Sequence, residues 1–124
     1  MLDKLIGAQI KRVKWDFIEI ELNGKTYTLN SEEDNGGCCG FAKVDTIVYY
    51  EEGSKRNPII TNIEYEDTAD EDDEKDSMRI TFYGESAPLV SVESEAGSGS
   101  GWQYGACVTL VCKALDIEEV MASW

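Results

Sequence analysis

Phe17-Ile18-Glu19-Ile20-Glu21-Leu22-Asn23-Gly24-Lys25-Thr26-Tyr27-Thr28-Leu29 is the stretch that decides the fold class. Ile18, Ile20 and Leu22 alternate with Glu19 and Glu21, the period-two pattern of a half-buried strand. Asn23-Gly24 follows directly and is the strongest short-range hairpin signal, because both central residues of a type I′ turn need positive φ. Lys25 to Leu29 then returns with Tyr27 and Leu29 on one face. An antiparallel hairpin is expected here.

Working outward, the flanks carry the same signal. Ile10, Val13 and Trp15 interleave with Lys11, Arg12 and Lys14 in a preceding strand. Residues 30–40 are polar and then Gly-rich, and are expected as a loop. Val44 and Ile47 to Tyr50 form the next strand, followed by a turn-rich connection over 51–58 with Gly53 and Asn57-Pro58 as breakers. Ile59 to Tyr65 resumes as β. Residues 64–76 hold nine acids and one base, Lys75, which predicts a solvated acidic loop. Met78, Ile80 and Phe82 alternate against Arg79 and Thr81 in another strand, and Leu89, Val90 and Val92 mark a short one. Residues 96–101 read as a Gly/Ser loop, and 102–115, with Cys107 to Cys112 at its centre, as a long buried strand. Asp116 stands where a helix N-cap would, with Glu119 three residues on and Ile117, Val120, Met121 and Trp124 at helical spacing. The expected architecture is mainly β: a twisted antiparallel sheet, or a small barrel or sandwich, with a short C-terminal helix. At 124 residues this is a single domain, 1–124. Ile20, Tyr27, Val48, Ile80, Phe82 and Val108 are the expected core.

Charge narrows the function classes. Twenty-five acids against eleven bases give −14. Residues 1–62 hold ten acids and eight bases (−2), and residues 63–124 hold fifteen and three (−12). That balance argues against direct nucleic-acid binding, which neutralises phosphates through Lys and Arg, and against an anionic membrane surface. No apolar run approaches the roughly 18–20 residues of a membrane span, and the first residues carry an acid where a signal peptide wants bases. A cytoplasmic protein is expected.

Enzyme signatures are missing from the sequence. Histidine, the usual general base near neutral pH, is absent. There is no Walker loop or dinucleotide fingerprint, and no base lies near the Gly97-Ser98-Gly99-Ser100-Gly101 stretch that could cradle a phosphate. Cys38 and Cys39 are adjacent, while Cys107 and Cys112 are five apart and so point to opposite faces of a regular strand. Neither pair has the Cys-x-x-Cys knuckle of a zinc ribbon, so the four read as free thiols. The 64–76 run has no glycine, unlike a calcium-binding EF-hand loop. No catalytic residue, metal or cofactor is expected.

The opening Leu5-Ile6-Gly7-Ala8-Gln9-Ile10, the hairpin ending Gly24-Lys25-Thr26-Tyr27, the acidic loop running into Cys38-Cys39 and the later Ile80-Thr81-Phe82-Tyr83-Gly84 carry a resemblance. In these segments the chain resembles a family of small, uncharacterised β-rich domains encoded by phages and prophages. The Gly/Ser loop and the Cys107 strand depart from that pattern. The resemblance implies a β-rich fold and a viral context in a host cell; it implies no activity or catalytic residue.

Two binding modes follow. In the first, carboxylates on a rigid sheet imitate a phosphate backbone and occupy the basic groove of a host protein, such as a defence factor. The residues expected to supply that charge are Glu66, Asp67, Asp70 and Glu71, with Asp72, Asp73, Glu74 and Asp76. In the second, bases and aromatics of the less acidic half hold a nucleotide signal by stacking and Arg contacts. That set is Lys11, Arg12, Lys14 and Trp15, with Tyr49, Tyr50, Lys55 and Arg56. A structural or interaction protein of a phage is a further alternative, and a homodimer is compatible with any of these.

Overall fold

The computed structural model describes residues 1–36, 40–69, 75–85, 87–98 and 105–124. Among these, a 3-10 helix at Leu2–Leu5 precedes β1 (Gln9–Val13), β2 (Phe17–Leu22) and β3 (Lys25–Asp34). The chain continues through β4 (Phe41–Tyr49), α1 (Glu51–Arg56), β5 (Asn62–Asp67), β6 (Lys75–Tyr83) and β7 (Pro88–Gly97). It finishes with β8 (Cys107–Cys112), a 3-10 turn at Lys113–Leu115 and β9 (Ile117–Ser123).

The strands form two antiparallel sheets, ordered β1-β2-β3-β8-β9 and β4-β7-β6-β5. Of the expected forms, this is the sandwich-like one, with no closed barrel. The predicted hairpin is in place: Asn23 and Gly24 have φ of 53° and 79°, and Ile18 faces Leu29 while Ile20 faces Tyr27. In the second sheet β5, β6 and β7 run as a meander, and α1 carries the chain from β4 at one edge to β5 at the other. That is a Greek-key connection.

The core lies between the sheets. Ile18, Ile20, Leu29 and Leu110 of one sheet and Ile80, Phe82, Val90 and Val92 of the other belong to a single buried cluster, closed at one end by Leu2, Leu5 and Ile60. Burying such side chains is the main stabilising term, about 1.5–3 kcal/mol each. A smaller cluster of Ala42, Ala96, Ala106, Val108 and Ala122 lets the sheets approach where side chains are short.

Five expectations are corrected. The C-terminal segment is a strand, not a helix: Asp116 turns the chain with φ 55°, and Ile117 to Ser123 pairs back along β8. The register slips between Val108 and Thr109, which leaves Met121 opposite neither Val108 nor Thr109 and gives the run a spacing that imitates a helix. The short helix lies instead at Glu51–Arg56, inside the expected turn, with Gly53 and Ser54 buried. A Cβ on Gly53 would stand 2.7 Å from the Pro88 carbonyl oxygen, so glycine is what lets α1 seat on β7. The acidic stretch is mostly strand at its ends, since Glu64 to Asp67 lies in β5 and Lys75 and Asp76 in β6. Strands β3 and β7 run further than expected, to Asp34 and Gly97. Val48, an expected core residue, points outward and is 37% exposed.

Candidate functional site

The outward face of the four-stranded sheet carries the most organised set of polar groups. Register places Glu66 of β5, Arg79 of β6 and Glu93 of β7 in one row across three strands, with Glu64, Thr81 and Ser91 in the next. Cross-strand neighbours on one face sit about 5 Å apart, close enough for direct bonds. Arg79 donates from Nε to Glu93 Oε1 at 2.6 Å and from Nη1 to Glu66 Oε2 at 2.9 Å. Glu93, then Glu66, raises the Arg79 pKa. Thr81 and Ser91 share a hydrogen bond of 2.8 Å between their hydroxyls. Both face outward, yet they are only 8% and 3% exposed, because larger neighbours stand around them.

Those neighbours make a concavity of about 350 Å³, whose apolar wall is Val48, Tyr50, Tyr83 and Pro88. Tyr83 has its pKa raised, first by partial loss of solvent and then by Glu64, Tyr50 and Glu66. Further along the same face, Glu95 is held by Lys75 at 2.9 Å and by Lys43 at 3.1 Å. The Lys75 hydrogen bond is the largest cause of its lowered pKa, opposed by burial and assisted by Lys43.

A second concavity, of about 580 Å³, lies at the end of β3 and is lined by Glu32, Glu33, Asp34, Asn35, Cys107 and Thr109. Among the described residues no base lines it. The sequence showed these three acids only as part of a loop; their placement on β3 beside β8 depends on a pairing between distant segments, as in Glu32 with Thr109 and Asp34 with Cys107, 77 and 73 positions apart.

The sequence-predicted acids divide. Glu66 is bonded to Arg79, Asp67 caps the backbone N–H of Ala69 at 3.0 Å, and Asp76 accepts from the backbone N–H of Ser123 at 2.9 Å. Asp70, Glu71, Asp72, Asp73 and Glu74 lie outside the described residues, as do Cys38 and Cys39 and the 99–101 part of the Gly/Ser loop. Cys112 is buried and Cys107 half-buried, and both are free thiols.

The nucleotide-binding set is spread over both sheets. Lys11 and Arg12 lie on β1 of the five-stranded sheet, paired with Glu21 at 3.6 Å and Glu19 at 3.5 Å, with Arg12 also over the Phe17 ring. Lys14 and Trp15 sit in the β1–β2 turn, where Trp15 is 84% exposed. Tyr49 ends β4 of the other sheet, Tyr50 follows it as the N-cap residue of α1, and Lys55 and Arg56 lie on α1. Of this set only Tyr50 lines the concavity around Arg79. Among the described residues no group of three or more His, Cys, Asp or Glu side chains is placed to hold a metal ion, and no helix is long and apolar enough to cross a membrane.

No family model, curated protein or solved structure matches the chain.

Proposed function

We propose that this protein is a non-catalytic binding domain, of phage type, that neutralises a host factor by presenting an acidic surface to a basic, nucleic-acid-binding partner. The observation that carries this is how the strand-borne bases are used. Among the described residues six bases lie on strands, and Lys11, Arg12, Lys43, Lys75 and Arg79 are each paired to a carboxylate there, which leaves Lys25. The excess acids face solvent: Glu32, Glu33 and Asp34 line a base-free concavity, and Glu51, Glu52, Glu64 and Glu118 are exposed. Residues i and i+2 of a strand share a face about 7 Å apart, so Glu32 and Asp34 form the start of a row of fixed negative charge. A field of one sign speeds encounter with a basic groove and makes binding salt-sensitive.

The test is affinity capture of host proteins at low and high salt, followed by release with duplex DNA. Two variants serve as controls, one with Glu32, Glu33 and Asp34 changed to amides and one with the acids of 70–74 changed to amides. A basic nucleic-acid-binding protein held at low salt, released by salt and by DNA, and lost in at least one variant is the expected result. Capture unaffected by salt and by both variants, or no capture, overturns the proposal.

A further inference from the structure

We infer that the concavity around Arg79 is a binding site for a neutral saccharide, whose hydroxyls meet Arg79, Glu66 and Glu93 while the apolar face of its ring lies on the tyrosine side. This goes beyond the acidic-surface proposal and does not depend on it. A guanidinium has five N–H donors. Arg79 donates two hydrogen bonds, from Nε to Glu93 Oε1 and from Nη1 to Glu66 Oε2, and its Nη2 is in ion-pair contact with the same Glu93 oxygen, which leaves at least two donors. The second oxygens, Glu93 Oε2 and Glu66 Oε1, have no hydrogen-bond or ion-pair partner among the described residues. Thr81 and Ser91 together own two hydroxyl protons and use one in their shared bond. The face therefore offers donors and acceptors alternating over a few ångströms.

A hydroxyl is the group that satisfies both kinds, since it donates once and accepts twice. Adjacent hydroxyls on a ring match adjacent donors and acceptors on the sheet. Charged ligands fit less well. A phosphate meets Glu66 and Glu93 beside the guanidinium, and an ammonium or guanidinium meets Arg79, so either brings like charges within repelling distance. The walls supply the other half of a sugar site. Tyr50 and Tyr83 line the concavity with Val48 and Pro88 beside them, an aromatic and apolar surface against which the C–H groups of a pyranose can pack. A volume of about 350 Å³ lies at the small end of ligand sites, about 300–1,000 Å³. The site crosses four strands from Glu66 to Val48, or about 14 Å at 4.8 Å per strand spacing, which gives room for one or two sugar units.

The experiment follows backbone amide shifts of ¹⁵N-labelled protein titrated with glucose, galactose, mannose and N-acetylglucosamine, and with a disaccharide of each. Glucose 6-phosphate and free arginine serve as the anionic and cationic controls. Saturable shifts confined to residues 79–83, 90–93 and 48–50 are expected from at least one sugar, with binding of both charged controls at least tenfold weaker. Glu93→Gln is expected to weaken that sugar about tenfold, with Tyr83→Leu comparable and the far-ultraviolet spectrum unchanged. Should either variant unfold, Glu66→Gln on the exposed edge strand gives the same readout. A disaccharide that binds more tightly than its monosaccharide identifies a glycan chain as the source, and equal affinity identifies the free sugar. The inference is overturned if no sugar gives saturable shifts on this face, if the shifts fall on β1–β3, or if arginine or the phosphate ester binds more tightly than every sugar.

Discussion

Asp76, the second residue of β6, accepts a hydrogen bond from the backbone N–H of Ser123, the last residue of β9, at 2.9 Å. The contact joins the two sheets at their acidic end. Edge strand β9 has open N–H groups that would template pairing with another chain. Asp76 occupies one of them, and Met1 Sδ accepts another from Glu118 at 2.9 Å. An acid that reads in the sequence as partner-binding charge is in the fold a cap on a strand edge.

Asp76→Ala is accordingly expected to lower stability by about 1 kcal/mol, the net worth of one such hydrogen bond. Asp76→Asn, which keeps an acceptor oxygen, is expected to lose less. Urea denaturation measures both, and an Ala variant as stable as the parent would show the carboxylate to be merely solvated.

The C-terminal segment gives a contrast between strand and helix. Ile117 is fully buried and Met121 nearly so, whereas Val120 is 55% exposed. Ile117→Ala and Met121→Ala are each expected to cost about 2–5 kcal/mol. Val120→Ala is expected to stay within about 0.5 kcal/mol, as for a surface change. A helix would have packed all three on one side. Equal costs at 117, 120 and 121 would contradict the strand.

Tyr65 should titrate late. Burial, then its hydrogen bond to Glu119 and the charges of Glu119 and Asp3, push its pKa up to about 12. The unfolded chain loses this proton near pH 10, so between about pH 10 and 12 the unfolded state binds fewer protons than the folded state. Stability therefore falls as pH rises through that window. Ultraviolet difference titration should show a tyrosine ionising last, and earlier in Glu119→Gln, though still above 10 because burial remains.

Glu95 governs the acid side. Its lowered pKa means that the unfolded state takes up a proton first as pH falls. The stability it contributes is present above the ordinary carboxylate range and is lost as pH drops through the lowered value. Glu95→Gln is expected to cost about 1 kcal/mol at neutral pH and to flatten the loss of stability on acidification, measured by thermal melting from pH 6 to 3.

The hairpin was legible because its information is local. The alternation in Phe17–Leu22 and the positive-φ pair Asn23-Gly24 need nothing from the rest of the chain. Cys107 and Cys112 likewise follow the odd-spacing rule, one half-buried and one buried. The C-terminal strand was not legible, because Asp116 serves a left-handed turn as readily as an N-cap and the register slip opposite Val108 and Thr109 imitates helical spacing. The Arg79 site was hidden for a different reason. Glu66, Arg79 and Glu93 are thirteen and fourteen residues apart and meet only through the registers of two hairpins. Residues 64 to 67 likewise read as solvated charge, because nothing local announces Arg79 as the partner of Glu66.

The order of strands also dictates when each sheet can exist. The four-stranded sheet draws all its strands from residues 41–97, so a chain emerging from the ribosome can complete it without its last segment. The five-stranded sheet cannot close until β8 arrives to pair Asn30 with Val111, eighty-one positions later. Contacts that distant form slowly. Until then the acidic half of β3 is an open edge, and its three consecutive carboxylates are the charges that discourage nascent chains from pairing there. The acids of β3 that line a concavity in the finished protein thus also protect it during its own synthesis.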